Sequence, residues 1–286
     1  MTDILITGGE GFLGKKLISK LKEYNYSYIS LNSQDGDINK KDTFNSISKV
    51  KFVFHLAGKS FIPKSWDQND ELFKTNIIGT RNVINYCKRV NAKLIMASSY
   101  VYGYPEKLPI NENHPVKPNN PYSLSKWISE QIIEFESKQD NLNAVILRIF
   151  NIFGNGQNKN FLIPKIINYI ENNKDIEILD LKPKRDFVYI DDVVEAFILS
   201  MHIKDEFQRF NIGSGKSFSV GEIIKIIQEI FGTKLKVISQ EKTRRNEIQN
   251  VIADISHARK VLKWNPRYTF HEGLNKYINE VVLNKS

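Results

Sequence analysis

Thr7-Gly8-Gly9-Glu10-Gly11-Phe12-Leu13-Gly14 decides how the chain is read. The apolar run Ile4-Leu5-Ile6 precedes it, and Lys15-Lys16-Leu17-Ile18-Ser19-Lys20-Leu21 follows at helical spacing. A strand, a glycine turn and an amphipathic helix in that order make a phosphate cradle. The glycines let the chain reverse and let the backbone approach a pyrophosphate. The helix N-terminus adds free N–H groups at the positive end of its dipole. The spacing is Gly8-x-x-Gly11-x-x-Gly14 rather than the commoner G-x-G-x-x-G. Alone, such a triplet is equally a tight strand–helix turn without a ligand, so the rest of the chain has to decide.

Its 286 residues, 41% hydrophobic and 26% charged, have a globular composition with room for one large or two fused domains. A net charge of +9 raises nucleic acid or an anionic membrane as partners. Lys, Asn and Ile are spread throughout, with no dense basic block and no nucleic-acid motif. Neither partner is therefore expected, and a basic surface suits an anionic small substrate. The single cysteine, Cys87, excludes an internal disulfide and points to a reducing compartment. It lies in the helical pattern Val83-Ile84-Asn85-Tyr86-Cys87, as a buried thiol. No apolar run approaches the roughly 18 residues of a membrane span. Met1-Thr2-Asp3 runs straight into the first strand without a signal peptide, and the cytoplasm is the expected location.

Residues 27–31 read as a second strand. A dinucleotide fold wants an acidic residue at its end for the ribose hydroxyls, and Asn32-Ser33 stand there instead. Asp35-Gly36-Asp37-Ile38 is a turn, followed by a helical pattern through Phe44 and Ile47. Residues 52–58 form a third buried strand ending in Ala57-Gly58, small residues across which a ligand can lie. Leu72, Phe73, Ile77, Val83, Ile84 and Cys87 predict a long helix over 68–90. A fourth strand over 93–98, a loop over 102–121, a helix from Tyr122 to about residue 138 and a fifth strand over 144–148 follow. This alternation predicts a parallel, doubly wound α/β sheet. Beyond Phe150, residues 151–160 read as loop and 161–172 as helix. Residues 176–179 read as a strand, and 186–202 as a short strand with an apolar helix. A helix over 219–231, a strand over 235–239 and helices near 256–263 and 271–283 complete the chain. This half reads as a smaller α/β lobe closing over the first.

The chemistry concentrates in Ala97-Ser98-Ser99-Tyr100-Val101-Tyr102-Gly103 and Tyr122-Ser123-Leu124-Ser125-Lys126. Tyr122 and Lys126 are i and i+4 and share a helix face. An ammonium beside a phenol favours phenolate and lowers its pKa from about 10. Such a tyrosine exchanges a proton with a sugar hydroxyl or carbonyl near neutral pH. Ser98, at the end of a parallel strand, is placed to hydrogen-bond the same oxygen. Together they are the proton half of a hydride-transfer site, whose hydride half a nicotinamide supplies. None of the histidines 55, 114, 202, 257 and 271 pairs at ligand spacing with another His or Cys, so no metal site is expected.

These stretches resemble the extended short-chain dehydrogenase/reductase family, in its NAD-dependent epimerase/dehydratase branch acting on nucleotide sugars. The resemblance covers essentially the whole chain. It implies a Rossmann-type NAD(P)-binding domain over 1–150 plus about 186–212. A nucleotide-sugar-binding lobe would span 151–185 and 213–286. Gly8, Gly11 and Gly14 match the family's cofactor turn, with Phe12 and Leu13 inside it. Asp37-Ile38 matches the adenine contact, and His55-Leu56-Ala57-Gly58 resembles the H-x-A-A strand end. Asn76 matches the N-x-x-G-T helix, and Ser98, Tyr122 and Lys126 fall on the catalytic trio. Expected cofactor contacts are thus Gly8, Gly11, Phe12, Leu13, Gly14, Asn32, Asp37, Ile38, Leu56, Ala57, Asn76, Tyr122 and Lys126. On the substrate side, Arg148-Ile149-Phe150-Asn151-Ile152-Phe153-Gly154 is similar to R-x-F-N-V-Y-G, whose asparagine contacts the nucleotide diphosphate. Arg185 opens a run similar to R-D-[FY]-[IV]-x-V-x-D, and Arg244 falls on a second diphosphate arginine, a task suited to guanidinium forks. Ser99, Asn151, Phe161, Leu162, Arg185 and Arg244 make up the expected substrate side, with specificity around Phe161, Leu162, Leu179 and Lys184.

The departures narrow the chemistry. Asn32 would not repel a 2′-phosphate, whereas Glu10 would, so NAD and NADP both stay open, with NAD slightly ahead. Sugar dehydratases carry acidic residues just after the catalytic Ser/Thr. Ser99 and Tyr100 stand there, which argues against dehydration. The reading is an enzyme acting at C4 of a nucleoside-diphosphate hexose, as a 4-epimerase or as a 4-keto-6-deoxyhexose reductase, in activated-sugar biosynthesis for surface glycans. A non-catalytic dinucleotide-binding regulator on the same fold and a basic RNA-binding protein are the alternatives. The family implies a homodimer joined through the helices at 68–90 and 122–138.

Overall fold

The computed structural model describes residues 2–60, 66, 69–204 and 206–283. Six short apolar segments lie side by side in one sheet: β2 (Tyr28–Leu31), β1 (Ile4–Thr7), β3 (Phe52–His55), β4 (Lys93–Ser99), β5 (Ala144–Ile149) and β9 (Phe207–Ile212). Each neighbouring pair is parallel. These strands read as apolar runs rather than alternations because both faces of a parallel sheet are covered. On one face Leu17 and Leu21 of α1 (Phe12–Glu23) join Val193, Phe197 and their neighbours from α6 (Ile190–Ser200). On the other, Val83, Ile84 and Cys87 of α3 (Thr80–Val90) meet Ile133 of α4 (Pro121–Asp140). Cys87 is buried, as its place in the pattern implied.

The helix predicted over 68–90 is α2 (Asn69–Phe73), a π turn (Lys74–Gly79) and α3 run together; residue 68 lies outside the described residues. Helix α4 starts where its chemistry demands. The Asn120 side chain accepts from Ser123 N–H at 2.9 Å, and Pro121 occupies the first turn.

After β5 the chain builds β6 (Asn151–Phe153), α5 (Leu162–Glu171), β7 (Ile176–Ile178) and β8 (Lys184–Tyr189). It then crosses α6 and β9 into β10 (Ser217–Ser219), α7 (Val220–Phe231), β11 (Val237–Ser239) and α8 (Phe270–Leu283). A three-stranded sheet β10-β8-β6 and the pair β11-β7 frame a second core around Ile166, Phe187, Ile223 and Phe270. Strand β6 corrects the expectation of loop from Asn151. Its three residues are too few to show a period, and they pair with Phe187–Tyr189. Strands β9 and β10 were not anticipated. Gln208 and Arg209 interrupt the apolar run of β9, which only an edge strand tolerates.

Candidate active site

Strand β1 has β2 on one side and β3 on the other, so its C-terminal end opens a crevice where the chain switches direction. The glycine turn fills that end. Gly8 has φ +76°, and a Cβ there would stand 2.7 Å from Ala57 N. A Cβ on Gly14 would stand 2.5 Å from the Gly8 carbonyl oxygen. Only glycine lets the turn close against β3 and the helix rise so tightly from it. Phe12 and Leu13 of α1 pack against the second core, so the turn also touches the second lobe.

The strand beside the turn is locked by His55, which is fully buried. Its Nδ1 lies 2.7 Å from Thr7 Oγ1 and its Nε2 lies 2.9 Å from Thr80 Oγ1. Thr80 donates its one hydroxyl proton to the Asn76 carbonyl. Nε2 therefore donates to Thr80, and Nδ1 accepts from Thr7. Burial, reinforced by the Lys126 charge, pushes the imidazole down to about 3, so His55 is neutral. Asn76, in the π turn, holds the next residues: its Oδ1 accepts from Lys59 N–H at 2.8 Å, and its Nδ2 donates to Ser125 Oγ at 2.8 Å. Its carbonyl also accepts from the Ser129 hydroxyl at 2.7 Å.

His55 makes stability depend on pH. The unfolded chain takes up a proton near pH 6.5 that the folded chain refuses until about 3. The contribution is complete above about pH 6.5 and is lost as pH falls toward 3. Wild type should lose about 2–3 kcal/mol between neutral pH and about pH 4.5 from this group. In urea unfolding, His55→Gln should start lower at pH 7 and fall less on acidification. Equal losses in both proteins would remove this role.

Tyr122, Lys126 and the end of β4 meet one turn of α4 above the strand tips. Lys126 Nζ donates to the Ala97 carbonyl at 2.8 Å, and a Cβ on Gly58 would lie 3.4 Å from that ammonium. Burial pushes Lys126 down to about 8, against the opposing charge of Glu130. The expected lowering of the Tyr122 pKa is not found. Burial holds the phenol above its usual value, and a hydrogen bond from the Ser99 hydroxyl opposes that shift. The Lys126 ammonium is directed at Ala97 rather than at the phenol.

The Ser98 hydroxyl has a buried partner of its own. Its hydroxyl donates to Glu130 Oε1 at 2.5 Å. Glu130 is wholly buried and takes a fork from Arg148, with Nη2 at 2.7 Å and Nε at 3.0 Å from Oε2. Arg209 adds a contact at 3.3 Å. Burial works against the Arg148 charge, but Glu130 and Tyr102 outweigh it and hold the guanidinium protonated. The sequence did carry a signal for Glu130, four residues after Lys126 and eight after Tyr122 on one helix face.

Among the residues expected on the substrate side, Asn151 Nδ2 donates to the Asp186 carbonyl at 3.2 Å. Arg185 forms an ion pair with Glu247 and donates to the Ile248 carbonyl at 2.5 Å. Burial lowers its pKa, Glu247 opposes that, and the neighbouring Arg244 charge adds to the lowering. The two arginines expected to share a diphosphate are thus close in space, with Arg244 exposed. Asp186 ties the region together, accepting from the N–H groups of Ser214, Gly215 and Ala253. Phe161 is 37% exposed at the start of α5. Among the described residues, no group of three or more His, Cys, Asp or Glu is placed to hold a metal ion. Nor is any helix among them long and apolar enough to cross a membrane.

A profile of the NAD dependent epimerase/dehydratase family matches residues 4–213. The chain belongs to that family. It is 32% identical to a putative UDP-glucose 4-epimerase of Methanocaldococcus jannaschii, over 96% of this chain and 97% of that one. It is 30% identical to the dTDP-4-dehydro-6-deoxyglucose reductase of Escherichia coli, over 97% of both. The structure of MoeE5 in complex with UDP-glucose and NAD superposes with a TM-score of 0.93 at 27% identity, covering 99% of this chain and 100% of that one.

Within this epimerase/dehydratase fold the two residues that disagree about the cofactor touch. Asn32 Oδ1 accepts from Glu10 N–H at 3.1 Å, while the Glu10 carboxylate stays exposed near Lys15, 3.8 Å away. Asp37 is exposed, its Oδ1 accepting from Asn39 N–H at 3.0 Å. Ile38 is buried, and its carbonyl accepts from Asn82 Nδ2 at 2.9 Å. Leu56 and Ala57 remain partly exposed at the tip of β3.

Proposed function

We propose that this family member catalyses oxidation and reduction at C4 of a nucleoside-diphosphate hexose, with NAD or NADP in the crevice above β1. One observation carries the reading. Tyr122 and Lys126 stand on one face of α4 at the tips of β3 and β4, beside a glycine turn that closes on Ala57. The absence of side chains at Gly8, Gly11 and Gly14 is what a pyrophosphate needs, so the residues fit a dinucleotide. Gly8, Gly11 and Gly14 would bring the backbone to its phosphates, and Asp37 and Ile38 would meet the adenine. Lys126 and Asn76 would border the nicotinamide ribose. When bound, the nicotinamide exchanges hydride with C4. Tyr122 would hold or release the proton of the C4 oxygen, and a serine hydroxyl from the end of β4 would bond that oxygen. Arg185 and Arg244 would grip the diphosphate, Asn151 would contact it, and Phe161 and Leu162 would shape the sugar side. Ser99 and Tyr100 supply no carboxylate, which favours C4 chemistry without water loss.

The relatives include a putative 4-epimerase and a 4-dehydro sugar reductase, so a nucleotide-sugar panel with and without NADH or NADPH is the deciding experiment. Loss of reduced-nicotinamide absorbance marks a reductase serving 6-deoxyhexose synthesis. Isomer interconversion without added reductant marks an epimerase. Turnover of no member of the panel would leave the regulator reading standing.

A homodimer through α2–α3 and α4 accompanies this proposal. Ile78, Leu124 and Phe135 on those elements are 49%, 40% and 61% exposed, apolar side chains that a second copy would cover. Light scattering at micromolar concentration should give a dimer mass, and Phe135→Asp should shift it toward monomer. A monomeric wild type would end this part.

A further inference from the structure

Residues 243–246 link two anchors on the second core. Before them, Gln240 N–H donates to the Ile178 carbonyl and Lys242 N–H to the Leu179 carbonyl, each at 2.9 Å. After them, Glu247 pairs with Arg185, and the Gln249 carbonyl accepts from Lys184 N–H at 2.8 Å. Between the anchors Thr243, Arg244, Arg245 and Asn246 are exposed, and their contacts reach across to the other core. The Arg245 guanidinium lies over the Trp66 ring, 3.9 Å from its centroid. Asn246 Nδ2 donates to the Asn119 carbonyl at 2.7 Å, and Asn119 Nδ2 donates back to the Asn246 carbonyl at 3.2 Å. Asn246 has φ +56°, a left-handed backbone that asparagine tolerates better than most residues. Trp66 stands between β3 and α2, and Asn119 between β4 and α4. In a parallel sheet both connections leave the C-terminal ends of their strands, the edge that holds the glycine turn and Tyr122. Asn119 is three residues before Tyr122, and its Oδ1 accepts from Asn120, the residue that caps α4.

We propose that residues 243–246 are a strap across the mouth of the crevice, clasped by Arg245 on Trp66 and by Asn246 on Asn119, and that both clasps release together when a nucleotide sugar enters or leaves. The proposal rests on the crevice being the nucleotide-sugar site. Each clasp is exposed and individually weak, one cation–π contact and one pair of surface hydrogen bonds, so the strap can lift while its anchors hold. Arg244 rides on the strap, whereas Arg185 stays with β8. Lifting the strap therefore parts the two arginines assigned to the diphosphate. A bound diphosphate touches both only in the closed state and so holds the strap down. Closure then completes the grip on the substrate and keeps water from the reacting carbon.

The test reads acrylamide quenching of Trp66 fluorescence in substrate-free protein, with Trp66→Phe to assign the signal. Asn119→Ala lies outside the Arg245–Trp66 contact, yet it should raise Trp66 quenching by about twofold or more, because losing one surface hydrogen bond frees the whole strap. Asn246→Asp keeps a residue suited to the left-handed backbone but cannot donate to the Asn119 carbonyl, and it should do the same. In a second arm, Asn119→Cys with Asn246→Cys is bridged by glutathione disulfide and the bridge confirmed by mass; the native Cys87 is buried and takes no part. The bridged protein should show less Trp66 quenching than wild type and lose most turnover of the sugar found in the panel, and dithiothreitol should restore both. Trp66 quenching that Asn119→Ala and Asn246→Asp leave unchanged, or full turnover by the bridged protein, overturns the proposal. A panel without turnover would sink the nucleotide-sugar reading alone, because the quenching arm needs no substrate.

Discussion

Tyr122→Phe should lower kcat by about 10²- to 10⁴-fold and leave KM for the nucleotide sugar within a few-fold, as expected when a general acid/base is lost but its ring remains. The substitution removes one oxygen and keeps the packing. The phenol that it deletes is held above its ordinary pKa by burial, so at neutral pH it carries its proton. That makes Tyr122 ready to donate to a ketone. In the opposite direction it must first lose the proton. Sugar oxidation should therefore accelerate as pH rises through the neutral range, while reduction stays flatter until the phenol ionises. Lys126, pushed down to about 8, loses its own charge in the same range and limits the rise. Steady-state rates in both directions over that range would show the asymmetry. A Phe variant that turns over at the wild-type rate would show that another group carries the proton.

What the sequence revealed about this site was local, and what it hid was not. The glycine turn could be read because strand, turn and helix are consecutive and Gly8 and Gly14 are each forced by contacts within or next to the turn. Tyr122 and Lys126 could be paired because four residues on a helix make one face. Asn76 came only from family resemblance, since its work depends on a π turn and on Lys59 and Ser125, which no periodicity announces. Ser98 was expected at the reacting oxygen, but the register of β4 on β5 sets it beside Arg148, where its hydroxyl meets Glu130. Arg148 itself resembled part of a substrate motif, yet it is fully buried on Glu130, while the nearby Asn151 bonds the Asp186 carbonyl. The fold was legible wherever strands were apolar runs, and was missed at β9, whose polar interruptions mark the sheet edge.

The buried cluster under Ser98 predicts the largest stability effect. Glu130→Ala would leave Arg148, with no side-chain exposure, facing a cavity instead of a carboxylate. Its remaining contacts, the Glu112 carbonyl at 3.3 Å and the rings of Tyr102 at 4.7 Å and Trp127 at 5.5 Å, do not neutralise a guanidinium. Breaking one side of a buried pair costs about 3–5 kcal/mol, because the surviving charge stays desolvated. Arg209 suffers less, since it keeps Glu134 at 2.7 Å. The double variant Glu130→Leu with Arg148→Met should recover most of the loss, because desolvated pairs return little net stability compared with apolar residues of similar volume. Urea unfolding of the two proteins separates the possibilities: equal midpoints would mean that the loss is a packing defect and not an orphaned charge. The recovered double variant also lacks the acceptor for Ser98. If it folds stably yet loses turnover, Glu130 holds the β4 tip in its working position as well as neutralising Arg148.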